Sequence, residues 1–217
     1  MSQTPLLAVD PLHPQPEIIA EAARLLRGGG VIVFPTDTVY GIGCAADHPE
    51  AIARIYAAKG RAADQPLSLL VAEAADLQRY GSEVSAAATR AVARFWPGAL
   101  TVIVHRSSAV PAVAVGGRDT VGVRLPDHAV SRALAAALGA PFGTTSANRS
   151  GGASPTTAAE AAAALGDRVD LILDGGASLG GRASAVIDFT TTPPRVVRAG
   201  ALSPEDLAMI IDEGANT

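Results

Sequence analysis

The chain has 217 residues, 48% hydrophobic but only 4% aromatic, and its 17 Lys and Arg against 21 Asp and Glu give a net charge of −4. The length suits one sizeable domain with a core of Val, Leu, Ile and Ala, and the apolar content excludes a disordered chain. The acidic balance argues against a general nucleic-acid binder, whose affinity comes mainly from neutralising phosphates, and the single Cys44 excludes an internal disulfide and fits a reducing compartment.

Residues 1–15 are Pro-rich and read as irregular. They lack the basic-then-apolar pattern of a leader, and no apolar run approaches the ~20 residues of a membrane span, so a soluble, cytoplasmic protein is expected. From 16 to 27, Ile18, Ile19, Ala22, Leu25 and Leu26 follow helical spacing, and Gly28-Gly29-Gly30 stops the helix. Residues 31–34 form a short apolar strand, read as buried on both faces. The strand runs into Pro35-Thr36-Asp37-Thr38-Val39-Tyr40-Gly41, which offers two hydroxyls and a carboxylate where the chain leaves the sheet. Gly41 and Gly43 would let the backbone approach a bound group. A capped turn built around Asp37 is the plainer reading of the same string.

Pro49 opens a helix over 49–58 with Ile52, Ile55 and Tyr56 on its apolar face. Just beyond it stands Lys59, the one lysine of the chain, in Lys59-Gly60-Arg61, with Asp64-Gln65-Pro66-Leu67 following. Two cations around a glycine make a short positive loop suited to polyphosphate, although no Walker pattern occurs. A strand is expected at 66–71, and a long helix at 77–96 that Pro97-Gly98 stops. Strands at 100–105 and 121–125 flank a loop with Gly116 and Gly117. Arg124 interrupts the second of these. A guanidinium there is costly without an anion, which could be Asp119, Asp127 or a substrate carboxylate. A helix over 128–138 ends at Gly139, and a strand over 142–145 enters the polar run Thr144-Thr145-Ser146-Ala147-Asn148-Arg149-Ser150-Gly151. The helix after it, 156–165, has an N-terminus that can face an anion. Strands at 171–173, 185–189 and 195–198 and a C-terminal helix from Pro204 complete the chain. The four histidines are scattered without metal-site spacing.

Strands separated by helices imply an α/β fold, a twisted, mainly parallel open sheet with flanking helices. One domain over 16–203 is expected, with the segment 1–15 before it and a helix and tail over 204–217 after it. Ligands of such sheets sit in a crevice at the strand ends.

Each signal is weak alone, but their order is specific. Pro-Thr-Asp-Thr-Val-Tyr-Gly at 35–41, Lys-Gly-Arg at 59–61, Gln-Pro-Leu at 65–67, Val-Arg-Leu-Pro at 123–126, Ser-Ala-Asn-Arg-Ser-Gly at 146–151 and Asp-Gly-Gly at 174–176 follow one another. With them the chain resembles the YrdC/Sua5 family of threonylcarbamoyl-AMP synthases, in its short, single-domain form. The resemblance implies a YrdC-like domain that makes L-threonylcarbamoyl-AMP and pyrophosphate from L-threonine, bicarbonate or CO2, and ATP, for the t6A modification of tRNA. It implies that Thr38, Arg124, Ser184 and the main chain near Thr144 contact L-threonine. Lys59, Arg61, Gln65, Thr120, Ser146, Asn148, Ser154 and Arg198 would contact ATP, with Lys59 and Arg61 catalytic. Mg2+ would arrive on the ATP, with no dedicated protein metal site. Downstream threonylcarbamoyl-transfer proteins, and weakly tRNA, are the implied partners.

Two stretches depart from the family pattern. Leu70 stands where many members carry a His near threonine, and Ala183-Ser184-Ala185 replaces a usual Glu-Ser-Thr. Both bear on the amino-acid pocket and on discrimination between threonine and serine. The alternatives are a double-stranded RNA or tRNA-binding maturation factor without ATP turnover, and a carbamoyl-adenylate enzyme with another acceptor, as in hydrogenase-maturation carbamoyltransferases.

Overall fold

Alternation of side chains along the strands decides this architecture, because successive residues of a strand face opposite sides of the sheet. The computed structural model describes residues 4–62 and 65–215, so Asp64 and the two chain ends lie outside the described residues. In chain order the elements are β1 (Leu6–Ala8), α1 (Pro16–Arg27), β2 (Ile32–Phe34), β3 (Gly41–Ala45), α2 (Pro49–Lys59), β4 (Ser68–Leu70), α3 (Asp76–Tyr80) and β5 (Gly81–Ser82). They continue with α4 (Ala86–Phe95), β6 (Leu100–Arg106), β7 (Thr120–Arg124), α5 (Ala129–Leu138), β8 (Phe142–Ser146), α6 (Ala158–Leu165), β9 (Leu171–Asp174), β10 (Ala185–Asp188), β11 (Arg195–Arg198) and α7 (Pro204–Ala215).

The result is an α/β fold with one mixed sheet, ordered β1-β9-β2-β3-β8-β4-β7-β6-β10-β11, and β5 paired to β6. Parallel pairs (β1 with β9, β2 with β9, β4 with β7, β6 with β10) arise where helices cross between strands. Antiparallel pairs run through β2-β3-β8-β4 at the centre. The turn from β2 to β3 is too short for a crossover, so those neighbours must run in opposite directions.

Two expectations need correction, and one strand was not expected. The N-terminal segment is not wholly irregular, since Leu6–Ala8 pairs with β9 at a sheet edge. Its flanking prolines hide a strand that edge positions tolerate. The long helix expected over 77–96 is broken at Gly81, which is extended (φ −96, ψ 149) and pairs with Arg106. A Cβ there would lie 2.8 Å from Val104 Cγ2, so only glycine lets the strand close on β6. Ser85 then starts a fresh helix, its hydroxyl accepting from the Ala88 N–H at 3.2 Å. Finally, residues 41–45 form a full strand although Gly41 and Gly43 make it a poor strand former by composition. A Cβ on Gly43 would come within 2.7 Å of the Phe142 ring, so the glycine serves close strand packing.

On one face Val33, Ile42, Leu69, Val102, Val123 and Ile187 pack beneath α2, α4 and α6. On the other, Ile32, Phe34, Leu70, Phe142 and Leu171 pack beneath α1 and α5, through Ile19, Leu26, Val130 and Leu134. Further along this second face, the inward positions of β8, β4, β7 and β6 change from Phe and Leu to Thr, Ser, Gly and Arg. That change creates the site. Among the described residues no helix is long and apolar enough to cross a membrane.

Candidate active site

A cavity of about 380 Å³ occupies this part of the sheet. Its floor is made by alternate residues of four strands: Thr144 and Ser146, Ser68 and Leu70, Gly122 and Arg124, Thr101 and Ile103. Thr36 and Thr38 wall one side, Arg61, Gln65 and Pro66 another, and Ser184 and Arg198 a third. The expected crevice at strand ends is only part of this. Phe34, Arg124 and Ser146 are carboxyl-end residues, but Ser68, Gly122 and Ile103 put most of the floor on the open sheet face that α1 and α5 leave uncovered.

Arg124 organises the first half. It is 6% exposed, donates from Nη2 to Asp37 Oδ1 at 2.6 Å, from Nη1 to Thr38 Oγ1 at 2.9 Å, and from Nε to the Gly98 carbonyl at 3.0 Å. Its carboxylate partner is therefore Asp37, not Asp119 or Asp127. The 35–40 turn folds back over the end of β7, whereas Asp119 points to Arg106 at 3.8 Å. Burial lowers the Arg124 pKa and Asp37 opposes that shift. Each Nη carries a second N–H, so the fork retains one donor per nitrogen for another anion.

The hydroxyl directions are fixed as well. Thr36 Oγ1 donates to the Val39 carbonyl at 2.6 Å, so across the 3.0 Å contact between the two threonine hydroxyls Thr38 must be the donor. With its proton used and one lone pair taken by Arg124, Thr38 keeps only acceptor capacity, the right polarity for an amine N–H. Thr144 donates to the Ser68 carbonyl at 3.2 Å. Ser184 Oγ lies 2.9 Å from Thr101 Oγ1 and accepts from Arg198 Nη2 at 3.3 Å, while Arg198 Nε donates to the Ser184 carbonyl at 2.9 Å.

Cations dominate the second half. Gly60 takes a left-handed conformation (φ 61, ψ 40) that ends α2 and turns Arg61 toward the cavity. Arg61 donates from Nη1 to Thr145 Oγ1 at 2.6 Å and from Nη2 to the Pro66 carbonyl at 2.9 Å, and its buried Nε has no partner among the described residues. Burial lowers the pKa of both Arg61 and Arg198. Arg61, Arg118, Arg124 and Arg198 line the cavity without any lining carboxylate among the described residues. Such a surface favours a polyanion.

Lys59 is placed differently from the expectation. It is the last residue of α2 rather than a residue beyond it, is 3% exposed, and donates from Nζ to the carbonyls of Ser146 and Asn148. Its charge thus stands behind the wall at the end of β8, not on the lining. Burial pushes its pKa down to about 8, and the neighbouring Arg61 charge acts in the same direction. Asn148 is also structural in its contacts, donating from Nδ2 to the Arg149 and Gly152 carbonyls at 2.8 Å each. Thr120 shares the strand face of Gly122 and Arg124 but lies beyond the cavity, and Ser154, in the turn before α6, does not line it.

Thr38, Arg61, Gln65, Arg124, Thr144, Ser146, Ser184 and Arg198 are thus brought to one cavity, with Leu70 and Ala183 also on its wall. Sequence reasoning missed Thr101, Arg118 and Thr145 as lining residues. Thr145 lay inside a flagged polar run, Arg118 follows the flagged Gly116-Gly117, and Thr101 carries no local signal. Tyr40 explains the Asp-Gly-Gly landmark: its hydroxyl donates to the Gly176 carbonyl at 2.6 Å and accepts from the Gly175 N–H at 3.2 Å. Burial pushes the Tyr40 pKa up to about 12, so it stays a neutral donor. Among the described residues no three His, Cys, Asp or Glu side chains cluster as a metal site.

The Sua5/YciO/YrdC family model, described as telomere recombination, matches residues 24–200. A threonylcarbamoyl-AMP synthase of Pyrococcus abyssi is 41% identical over 192 residues, which are 88% of this chain and 56% of that protein. One of Halorhodospira halophila is 37% identical over 191 residues, 88% of this chain and 96% of that protein. The crystal structure of P. abyssi Sua5 complexed with L-threonine superposes with a TM-score of 0.91 at 38% identity, covering 97% of this chain and 62% of that one. The chain therefore spans little more than half the length of the P. abyssi relative.

Proposed function

The chain belongs to the Sua5/YciO/YrdC family, and from that premise we propose that it makes L-threonylcarbamoyl-AMP and pyrophosphate from L-threonine, bicarbonate or CO2, and ATP. The observation that carries this reading is one cavity in which a carboxylate-gripping fork, Arg124, faces two guanidiniums that have no carboxylate partner among the described residues, Arg61 and Arg198. The threonine amine takes up CO2 to form a carbamate, losing a proton. A carbamate oxygen then bonds to the α-phosphorus of ATP as the bond to the β-phosphate oxygen breaks, releasing pyrophosphate.

The carbamate is already anionic, so no strong base is required. The barrier is the approach of one anion to another, which positioning and charge neutralisation lower. Arg124 holds the threonine carboxylate by its spare N–H groups, and Thr38 accepts from the nitrogen. Arg61 and Arg198 neutralise phosphate oxygens, and Lys59 adds positive potential from behind the β8 end. Mg2+ carried by the ATP would supply further neutralisation, beside a lining that is rich in guanidinium and has no carboxylate among the described residues. The adenylate is reactive and serves threonylcarbamoyl-transfer proteins that modify tRNA to t6A. The names of the relatives and the L-threonine in the P. abyssi Sua5 structure support the substrate class.

The test is incubation with ATP, L-threonine and bicarbonate, with pyrophosphate release measured and the adenylate sought by mass spectrometry. Release must depend on all three reactants. Release without threonine, or none at all, contradicts the reading.

A further inference from the structure

Thr145 has no assigned task in the account above, yet its hydroxyl makes the shortest contact of the Arg61 side chain. Arg61 Nη1 donates to Thr145 Oγ1 at 2.6 Å, Nη2 donates to the Pro66 carbonyl at 2.9 Å, and the buried Nε has no partner among the described residues. Among the described residues no carboxylate takes part, and a neutral hydroxyl and a carbonyl orient this cation. Thr145 is itself rigidly placed, since it sits inside β8 and pairs with Ile42 of β3.

A guanidinium can only donate, so the Thr145 oxygen is the acceptor. Thr145 pairs directly with Ile42, so its side chain lies on the α2 face of the sheet, opposite the floor residues Thr144 and Ser146, and it meets Arg61 just beyond the end of α2. Thr145 thus holds the guanidinium from outside the cavity floor.

We infer that Thr145 is a positioning residue for Arg61, holding its guanidinium where it meets a phosphate oxygen of the bound nucleotide. The inference rests on the ATP reading proposed above and extends it to a residue that the family resemblance leaves unassigned.

The experiment compares wild type with Thr145→Val, which keeps the shape but removes oxygen and proton, and Thr145→Ser, which keeps both. Equilibrium titration with ATP and Mg2+ is run beside steady-state kinetics in each substrate. Thr145→Val is expected to weaken ATP binding and raise the ATP KM by about tenfold, the scale of one hydrogen bond to a charged group. The threonine KM should change by less than about twofold, and Thr145→Ser should restore ATP binding to within about threefold of wild type, as one restored bond of that strength implies. A strand residue with a merely structural role would shift both substrates together. Should Thr145→Val fail to fold, Thr145→Ala carries the same expectation. Unchanged ATP binding in the folded variant, or a serine variant as weak as valine, overturns the inference alone. A wild-type chain that binds no ATP overturns the nucleotide reading itself.

Discussion

Asp37 and Arg124 meet at 2.6 Å across 87 residues of chain, in the wall of the cavity. The pair is largely buried, with side-chain exposures of 18% and 8%, so Asp37 stabilises a cation that the apolar strand would otherwise reject. It also fixes which N–H groups of the fork remain for a ligand. Asp37→Ala leaves an uncompensated guanidinium and is expected to destabilise the fold by about 3–5 kcal/mol. Denaturant unfolding checks this, and an unchanged midpoint contradicts it.

Thr38 can only accept from the substrate. Thr38→Val therefore should raise the threonine KM about tenfold, as expected for one lost bond to a charged group, with little change in the ATP KM. Thr38→Ser should recover most of the loss. Steady-state kinetics in both substrates decides the matter, and an equal rise in both KM values goes against the assigned polarity.

Lys59 gives a pH dependence with a definite sign. Its folded pKa of about 8 lies below the 10.5 of a free lysine. Below about pH 8 both the folded and unfolded chains carry the charge. Between about 8 and 10.5 the folded chain has released its proton and the unfolded chain has not, so the unfolded chain binds more protons and this group's contribution to stability rises with pH. Function moves the opposite way, because the positive potential behind the phosphate site is lost. The ATP KM should climb as pH passes about 8 in wild type and stay flat through that range in Lys59→Met. A flat wild-type profile contradicts this role.

Gly43 is required by packing. A Cβ at this position would stand 2.7 Å from Phe142 Cε2 and 2.9 Å from Thr144 Cγ2. Gly43→Ala should cost about 1–3 kcal/mol, the range for forcing atoms into a filled core. Thermal unfolding reads the loss, and a wild-type transition would show that β3 and β8 separate easily.

How much of this was legible in the sequence depends on the range of the contact. Arg124 was conspicuous because a charge inside an apolar strand demands an anion, but its partner was sought among nearby aspartates. Asp37 is a neighbour only through the β2–β3 turn, which no local pattern reveals. Lys59 and Arg61 were legible as a cationic pair. One extra helical residue and the left-handed Gly60 then sent them in different directions, Lys59 to carbonyls of the β8 end and Arg61 to the cavity. The strand over Gly41–Ala45 was hidden because its glycines answer to Phe34 and Phe142 rather than to strand propensity. Thr101 reads as one more β-branched strand residue, and only the sheet order shows that it faces Ser184.

The most direct test of the account is the rate of threonine-dependent pyrophosphate release by Arg61→Ala beside wild type, at saturating bicarbonate. Loss of a preorganised cation from the phosphate site predicts a fall of about 100-fold or more, with the fold intact because among the described residues Arg61 contacts only a hydroxyl and a carbonyl. A variant that turns over at close to the wild-type rate would contradict the claim that this cavity is where the phosphates are held.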